Sequence, residues 1–441
     1  PGAWRGAVIR QRDHAVSTEW WAWLPWKLAS EGVHAIWLDQ VTGDVNHALP
    51  DSWLLPDGCA STPLARIAEE VDRINNTVGP LLYAAEAATP PIAVYDSHAS
   101  RHLADVDRSY QRPVSSSQEA VVRMMQIAGY AFRFIDKSRL LEVSPDLCKV
   151  IVLPACRALD EEEIDALQTF VKRGGALVAA MVPGYVDVHG VPRRQYPLDA
   201  VFAIRIDAVP SITRGTLNVS LEGDAAGADA GTVRANTAVK LGNGIALGEV
   251  AGTPAWVVNR LEAGHALLLN HPFRNSIAKE GTRLVPHEYH AIKTFLADLP
   301  GISFNEAYES FLGSVNSFTY GDAEVYILIP DPDASRQSLR LPISSDRTAY
   351  NMVTGEKYRR PHRKKYQVEA GQPLAVSAMP HAINDVVVNV PEIIHVGERM
   401  PIQILVTTDK GSAGKHLLIL DLMPRNGSPI PWYRRIVFVQ S

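Results

Sequence analysis

The stretch Lys149–Met181, KVIVLPACRALDEEEIDALQTFVKRGGALVAAM, decides the fold of the middle of this 441-residue chain. Residues 150–153 form a continuous apolar run, which is typical of a strand covered on both faces. Asp160 is placed to cap a following helix, and Glu163 is its capping-box partner. A Gly-Gly pair then ends the helix, and residues 176–181 form the next apolar run. The stretch therefore predicts a β–α–β crossover between two parallel strands.

Charge and composition exclude several classes of protein. The formal net charge of −5 and the pI near 6.3 argue against a nucleic-acid-binding protein. No run of about 18 apolar residues occurs, so the sequence predicts no membrane span. Three cysteines, Cys59, Cys148 and Cys156, lack the spacing of a metal site and the number of a disulfide framework. We expect no cofactor and no metal, which leaves carboxylates, histidines and aromatic residues for any chemistry.

The chain starts at Pro1 rather than Met, and no basic-then-apolar signal segment follows it. Its opening residues already have the pattern of a domain interior. We interpret the chain as a fragment or processed product of a longer parent. This interpretation leaves the cellular compartment open, because an export signal would precede Pro1.

Tryptophan is concentrated at the N-terminus, where seven of the nine tryptophans lie within the first 53 residues. Pro25 bends or breaks the first helix predicted there. The order strand–helix–strand–helix is the rhythm of a (β/α)8 barrel, and residues 1–89 have room for two or three of its units. The predicted elements span residues 5–10, 17–30, 33–38 and 62–78.

The pattern divides the rest of the chain into three parts. Residues 90–300 alternate strands and helices, as in a flavodoxin-like or class I amidotransferase-like doubly wound domain. Within them, residues 205–255 alternate polar and apolar side chains between glycine-rich turns and predict an antiparallel insertion. Short alternating strands predict a small β-sandwich at 301–379 and a second sandwich-like module at 380–441. The second module has few strands, so it is either truncated or completed by an edge from elsewhere.

Several segments, in this order, resemble the C-terminal part of β-galactosidases of glycoside hydrolase family 42. WWAWLPWKLASEGVHAIWLDQ, Trp20–Gln40, resembles the last barrel helix and the eighth strand. IAVYDSHAS, Ile92–Ser100, resembles the first strand of the family's trimerisation domain, and Lys149–Ala179 resembles its strand–helix–GG–strand signature. AYNMVTGEKY, Ala349–Tyr358, and VEAGQPLAV, Val368–Val376, resemble the closing strands of its small β domain.

The resemblance covers most of residues 18–380 and implies a catalytic barrel, an amidotransferase-like trimerisation domain and β modules. It implies a carbohydrate substrate with β-linked sugars and a homo-oligomer, with a trimer favoured. It also implies a retaining mechanism with two carboxylates about 5–5.5 Å apart, at the ends of the fourth and seventh barrel strands. On this alignment the acid/base residue lies upstream of Pro1.

Four residues are candidates for the site that the resemblance implies. If residues 5–10 are the seventh strand, Asp13 lies at its end and Glu19 is the nearest glutamate; these two are the catalytic candidates. Alternatively, Asp13 is a solvated loop residue and Glu19 is a negative charge that stabilises the helix dipole. Trp37 and Asp39 end the strand that resembles the eighth, so they are the substrate-binding candidates. Alternatively, Trp37 packs the barrel mouth and Asp39 caps the next turn.

The middle domain lacks the residues of an amidotransferase site. Such enzymes need a cysteine at a nucleophile elbow and a base to activate it. Cys156 occupies an earlier turn, and the strand that would carry the elbow continues into Ala180-Met181-Val182-Pro183. We interpret the domain as non-catalytic and expect it to pack against copies of itself.

Two polar clusters have competing interpretations. Asp96, His98, His102 and Asp105 follow a strand, and the two histidines have a spacing that suits a metal on a helix; a polar loop and helix start is the favoured reading. Residues 358–366, YRRPHRKKY, are read as a solvated loop in preference to a site for an anionic partner.

Two hypotheses follow for the function. The first is the C-terminal portion of a family-42-like glycoside hydrolase that is active on β-linked sugars in its full-length form. The second is a non-catalytic assembly or carbohydrate-binding protein that kept the architecture and lost the two catalytic carboxylates. The sequence leaves the sugar and its linkage open.

Overall fold

The computed structural model describes residues 6–10, 17–39, 53–55, 57–87, 89–127, 130–206, 212–219, 232–273, 287–300, 302, 311, 313–332, 334–395, 397–409, 414–425, 427, 430 and 433–440. The chain divides into two compact units, one formed by residues 1–88 and 311–441 and one by residues 89–310. The four-part division predicted above stays a prediction. Among the described residues, no helix combines the length and apolar composition that crossing a bilayer requires.

The first unit begins with a β–α–β crossover, as predicted. Two strands pair in parallel, and the helix between them continues through Pro25, so this residue does not break it. The elements up to residue 87 are β1 (Gly6–Arg10), α1 (Thr18–Ser30), β2 (Ala35–Asp39), α2 (Thr62–Asn76), α3 (Gly79–Ala84) and β3 (Glu86–Ala87).

The second unit alternates strands and helices and then adds antiparallel strands. Its elements are β4 (Ile92–Tyr95), α4 (His98–Val106), α5 (Arg108–Ile127), β5 (Phe132–Ile135), α6 (Lys137–Glu142), β6 (Val150–Leu153), α7 (Glu161–Lys172), β7 (Ala176–Ala180), α8 (Asp199–Phe202), β8 (Ile204–Ile206), β9 (Ile212–Val219), β10 (Thr232–Asn236), β11 (Val239–Leu241), β12 (Ile245–Val250), β13 (Thr253–Leu261), β14 (Gly264–Leu269) and α9 (His287–Ala297).

One sheet organises this second unit. Its described strands lie in the order β10-β9-β12-β13-β14-β7-β6-β4-β5. The part from β14 to β5 is parallel, and in chain order its strands run 2-1-3-4-5, which is the flavodoxin-like order. The antiparallel strands β9, β10, β12 and β13 continue the same sheet, so the predicted insertion extends the sheet.

Both faces of the sheet are covered, which explains the continuous apolar runs of its strands. Helices α5 and α9 contribute buried residues such as Val121 and Leu296 on one face. Helices α6 and α7 contribute Leu140 and Phe170 on the other. At the start of β14 the backbone itself is close packed, because a β-carbon on Gly264 would lie 2.0 Å from the Val171 carbonyl oxygen.

The capped helix α7 forms as the sequence predicts, whereas α5 begins earlier than expected. Asp160 Oδ1 accepts from the Glu163 amide at 2.8 Å and Glu163 Oε2 accepts from the Asp160 amide at 2.6 Å, which completes the capping box. The apolar face of Val121, Val122, Met125 and Ala128 predicts a helix over Ser117–Ala128, but α5 begins at Arg108, nine residues earlier. Helix α4 packs against the additional part, where Val114 is buried with Ala104, and this tertiary packing extends the helix beyond its own apolar pattern.

The C-terminal part of the first unit is built of strands. A six-stranded sheet has the order β19-β18-β21-β16-β15-β3, and three two-stranded sheets pair β17 with β20, β22 with β23 and β24 with β25. These strands are β15 (Gly313–Tyr320), β16 (Ala323–Pro330), β17 (Gln337–Leu339), β18 (Thr348–Asn351), β19 (Lys357–Tyr358), β20 (Tyr366–Val368), β21 (Leu374–Met379), β22 (Ile383–Asn389), β23 (Gln403–Thr408), β24 (Lys415–Leu420) and β25 (Arg435–Gln440).

Helix α1 is rich in tryptophan because it packs on two sides. Trp21 contacts Ile9 of β1 and the buried Trp53 on one side. Trp26, which is fully buried, clusters with Val325 and other residues of the six-stranded sheet on the other side. A helix that is apolar on opposite faces is a buried helix, so the tryptophans of α1 serve packing.

Candidate functional site

The two predicted substrate-binding residues lie on a sheet face that is open to solvent. In β1 and β2, Ile9 and Leu38 point to the face that packs against α1 and α2. Side chains alternate along a strand, so Val8 and Trp37, which are paired in register, point to the opposite face. Val8 is 66% exposed and Trp37 is 55% exposed. The face that carries Trp37 therefore has an aromatic ring available for a ligand.

Gly6 forms the floor beneath Trp37. A β-carbon on Gly6 would lie 1.7 Å from Cζ3 of the Trp37 ring, so the indole lies directly over the glycine backbone. Any larger residue at position 6 displaces the ring. Sequence reasoning did not find Gly6, because its partnership with Trp37 depends on the register of two strands that are separated by α1.

Asp39 ends β2, two residues beyond Trp37. Its partner in register is Arg10, the last residue of β1. The carbonyl oxygen of Asp39 accepts a hydrogen bond of 2.8 Å from the indole N–H of the buried Trp53. This bond ties the end of the strand to the helix-facing core. Residues two apart on a strand share a face, so Trp37 and Asp39 together offer an aromatic ring and a carboxylate.

The two catalytic candidates are not brought together with this pair by any described contact. Asp13 lies outside the described residues. Glu19 is exposed in the first turn of α1, and its backbone lies against a turn of the β part, since a β-carbon on Gly371 would be 2.8 Å from Glu19 Cα. In a parallel β–α–β unit the helix starts at the carboxyl end of the strands, so Glu19 shares an end with Asp39 but belongs to the helix layer.

The crevice at the switch point of the large sheet, between β4 and β6, is filled by the protein itself. The hydroxyl groups of Ser97 and Ser100 donate to the Ala158 carbonyl at 3.1 and 3.0 Å. The hydroxyl of Tyr95 donates to the buried Glu163. Burial, with the hydrogen bond to Glu163, raises the pKa of Tyr95 far above its usual value, and burial also raises the pKa of Glu163.

Cys156 is inert in this setting. The thiol is 1% exposed, and its Sγ lies 3.9 Å from the Tyr95 carbonyl oxygen. Burial, together with the nearby carboxylates of Glu163 and Asp96, holds the pKa of the thiol well above its usual value. A cysteine acts as a nucleophile through its thiolate, so Cys156 is a packing residue.

The strand end that carries the nucleophile in an amidotransferase holds a methionine here. Met181 follows β7 and has a φ of 61°, in the left-handed region. Its amide donates to the Leu269 carbonyl at 2.7 Å. No helix follows it directly, since the next helix, α8, begins at Asp199. A thioether also has no proton to lose and cannot form a covalent intermediate by the usual route.

The histidine pair near β4, His98 and His102, is exposed on α4. The centroids of the two rings are 6.3 Å apart. Asp96 instead forms an ion pair of 3.2 Å with Arg101 and accepts from Gln118. Within the described ranges, no cluster of three or more histidine, cysteine or carboxylate side chains is placed to hold a metal ion.

Comparison with known proteins gives one family match. Residues 134–282 match the model of the β-galactosidase trimerisation domain. This range contains β6, α7 and β7, the stretch from which the fold class was first predicted. No curated protein matches the chain in sequence.

Solved structures of similar fold cover most of the chain. A catalytic mutant of Gan42B, a family 42 β-galactosidase from G. stearothermophilus, is 15% identical with a TM-score of 0.61, over 83% of this chain and 52% of its own. A β-galactosidase from Bacillus circulans sp. alkalophilus is 12% identical with a TM-score of 0.60, over 80% and 51%. An α-L-fucosidase isoenzyme from Paenibacillus thiaminolyticus is 13% identical with a TM-score of 0.51, over 81% and 57%.

These similarities define what the chain is at the level of fold. The identities are too low to carry an activity from one protein to another, and the same fold occurs with two sugar specificities. The chain spans about half the length of the β-galactosidases that it matches. It is therefore a partial relative of the family 42 β-galactosidases in fold, and residues 134–282 match the model of the β-galactosidase trimerisation domain.

Proposed function

We propose that this chain is the C-terminal part of a glycoside hydrolase that resembles β-galactosidases and cleaves β-linked sugars. In this proposal β1, α1 and β2 are the last strands and helix of a (β/α)8 barrel. The full-length parent hydrolyses its substrate by the retaining mechanism, with two carboxylates about 5–5.5 Å apart. This chain provides the barrel end, a trimerisation domain and β modules, and it acts mainly as a scaffold and oligomerisation region.

The observation that carries the proposal is the exposed ring of Trp37 over Gly6. In a barrel, one face of each strand packs against the outer helices and the other faces the interior. The helix-facing side of β1 and β2 is packed, so the side with Trp37 corresponds to the interior and its mouth. An aromatic ring at a strand end stacks on a sugar ring, and Asp39 accepts hydrogen bonds from sugar hydroxyls.

The second unit fits a role in assembly. Its switch-point crevice is closed by the contacts of Ser97 and Ser100, and Met181 follows the strand where an amidotransferase carries its cysteine. A domain that kept the doubly wound fold without a nucleophile is suited to binding copies of itself. The match of residues 134–282 to a trimerisation domain supports oligomerisation.

The test is sugar binding at Trp37 together with an assay for turnover. Methyl β-galactoside and methyl β-glucoside are titrated into the chain, and binding is followed by saturation-transfer NMR. Trp37→Ala is expected to abolish binding, and Gly6→Val is expected to do the same because it displaces the ring. Tyr83→Ala, which removes a 68% exposed ring elsewhere in the same unit, is the matched control and should leave binding unchanged.

Hydrolysis of an aryl β-galactoside by this chain alone is expected to be near zero, because the proposal puts the acid/base residue in the remainder of the parent. Clear turnover by the chain alone would show that the barrel has been assigned to the wrong residues. Binding that Tyr83→Ala weakens as much as Trp37→Ala would contradict the site itself.

The alternative is a non-catalytic assembly or carbohydrate-binding protein that kept the architecture without the two carboxylates. The methionine at the end of β7, Met181, favours this alternative for the second unit, because an amidotransferase needs a cysteine at that strand end. Sequencing the coding region ahead of Pro1 separates the two. An Asn-Glu pair at the end of a fourth barrel strand is expected for the enzyme, and a barrel without that pair would leave the non-catalytic alternative.

A further inference from the structure

The segment Lys357–Tyr366 is the densest group of positive charge in a chain whose net charge is −5. Ten residues hold six lysines and arginines, and four of these side chains, Arg359, Arg360, Arg363 and Lys365, are exposed between the two tyrosines. Such a concentration on an otherwise acidic protein creates a local positive potential.

Backbone and ring contacts order the segment Lys357–Tyr366, the basic loop. Arg360 has a φ of 49° and begins a short 3-10 turn in which the Arg363 amide donates to the Arg360 carbonyl at 3.0 Å. The rings of Tyr358 and Tyr366 meet edge to face at 5.2 Å. Lys364 Nζ lies 4.6 Å from the centroid of the Tyr358 ring. Charges on a fixed turn need little ordering when they bind, and this favours affinity.

The exposed cations of the loop point to solvent. Among the residues that the structure describes, none of the four forms an ion pair with a carboxylate, whereas the nearby Arg336 pairs with Glu369 at 3.6 Å. Leu339 pairs with Tyr366 across β17 and β20, so the next residue, the exposed Arg340, lies beside Lys365 and extends the surface. The positive charge is therefore available to an external anion.

We propose that the basic loop, Lys357–Tyr366 with Arg340, binds a carboxylate-bearing polysaccharide. The planar guanidinium groups of three arginines in the loop match the two oxygens of a carboxylate. A polyuronate presents such groups at regular intervals, so several arginines bind the same chain. This proposal rests on the proposed function only in its choice of a carbohydrate as the anion, because the loop is separate from Trp37 in the sequence and has its own chemistry.

The experiment measures binding of polygalacturonate to the whole chain by biolayer interferometry, with dextran as the neutral control. We expect binding that weakens as sodium chloride rises from about 50 to about 500 mM, since salt screens exposed charges. Replacing Arg359, Arg360, Arg363 and Lys365 by glutamine is expected to weaken binding about tenfold or more.

A control with the same change in net charge replaces four exposed cations of the second unit, Lys172, Arg173, Lys240 and Arg260, by glutamine. This variant should bind polygalacturonate as tightly as the unsubstituted chain does. Circular dichroism of both variants establishes that they fold. Where either does not, single Arg359→Gln and Arg363→Gln substitutions take its place, compared with Lys172→Gln.

Three outcomes would overturn the proposal: no binding of polygalacturonate at about 50 mM salt, equal weakening by the control variant, or duplex DNA binding as tightly as polygalacturonate. The last would make the loop a general polyanion or nucleic-acid surface. Methyl β-galactoside binding at Trp37 is measured on the same samples. Loss of that binding alone would count against the proposed function and leave the basic loop standing.

Discussion

Glu70 of α2 is a buried charge on which the packing of α1 against α2 depends. It is 1% exposed, and it accepts from the Trp26 indole N–H at 2.8 Å while Arg66 lies 3.1 Å away. Arg73 is a third neighbour at 3.7 Å. A buried carboxylate persists only when partners replace its lost hydration, and these three side chains provide that replacement.

We expect Glu70→Leu to destabilise the first unit by about 3 kcal/mol, because it leaves the Trp26 N–H unpaired and Arg66 without its buried partner. Glu70→Gln keeps an acceptor for Trp26 and should cost about half as much. Urea unfolding followed by tryptophan fluorescence measures both. Glu69→Gln is the matched control, since Glu69 pairs with the same Arg66 but is 65% exposed, and its effect should stay below about 0.5 kcal/mol. Equal effects at 69 and 70 would contradict the role of burial.

Prediction at the residue level succeeded where a few neighbouring residues carry the signal. It failed where the signal depends on how two strands pair in register. Trp37 and Asp39 were placed correctly at a strand end, because an apolar run that closes on an aromatic and an acid is visible in a few residues. Whether they bind a sugar stays a prediction. The role of Gly6 was invisible, because a close approach of 1.7 Å to the Trp37 ring exists only once β1 and β2 are in register.

At the scale of elements, helix α7 shows how a complete set of end signals fixes a helix. Asp160 caps it, and Lys137 Nζ bonds to Asp160 Oδ2 at 2.6 Å. Burial alone would raise the pKa of the Asp160 carboxyl. Hydrogen bonds from Lys137 and the Glu163 amide have a larger opposite effect, so the pKa lies below its usual value. The cap is therefore both a hydrogen bond and a charge.

We expect Asp160→Ala to lower the local stability of α7 by about 1–2 kcal/mol, and Asp160→Asn, which keeps the cap acceptor, to lower it less. A carboxyl with a lowered pKa stabilises the fold above the pKa of the unfolded state and loses that contribution as pH falls through its folded value. The difference in local stability between the unsubstituted chain and Asp160→Asn should thus have its full size at pH 7 and vanish in strong acid. Amide exchange of residues 161–173, compared at equal pH, measures it.

Glu142→Gln is the control for that experiment. Glu142 pairs with Arg139 at 3.5 Å, and both side chains are 72% exposed, so the substitution should leave the exchange of α7 unchanged at every pH. If the difference in α7 stability between the unsubstituted chain and Asp160→Asn grew as pH fell, it would contradict the sign of the pKa shift.

The success with α7 and the error with α5 have a common physical cause. Helix α7 carries its own cap, acidic first turn and apolar face, so the short stretch was enough. For α5 the apolar face predicted a helix only from Ser117, but packing of α4 against the preceding residues extends the helix back to Arg108. Local signals fix an element when they are complete, and tertiary contacts decide when they are not.

At the scale of the whole molecule, the order of the parallel strands in the large sheet can be predicted from the β–α–β pattern of the sequence. The way in which copies of the chain assemble cannot be predicted from such a pattern. The 2-1-3-4-5 order of the parallel strands is one of the common orders of doubly wound sheets, whose strands are joined by right-handed crossovers. A surface that meets another copy of the chain has no comparable pattern in one sequence. The trimerisation domain was predicted by resemblance and is supported by the match of residues 134–282.

We expect the chain to sediment at three times its monomer mass at micromolar concentration. If the folded chain is stabilised by association, the free energy of unfolding includes a mass-action contribution, so the midpoint of thermal unfolding rises with protein concentration. The basic-loop variant, in which glutamine replaces Arg359, Arg360, Arg363 and Lys365, serves as control, because these residues belong to the first unit and we expect assembly through the second. A monomer mass together with a midpoint independent of concentration would contradict the assignment. A trimer that the control variant disrupts would move the assembly surface to the first unit.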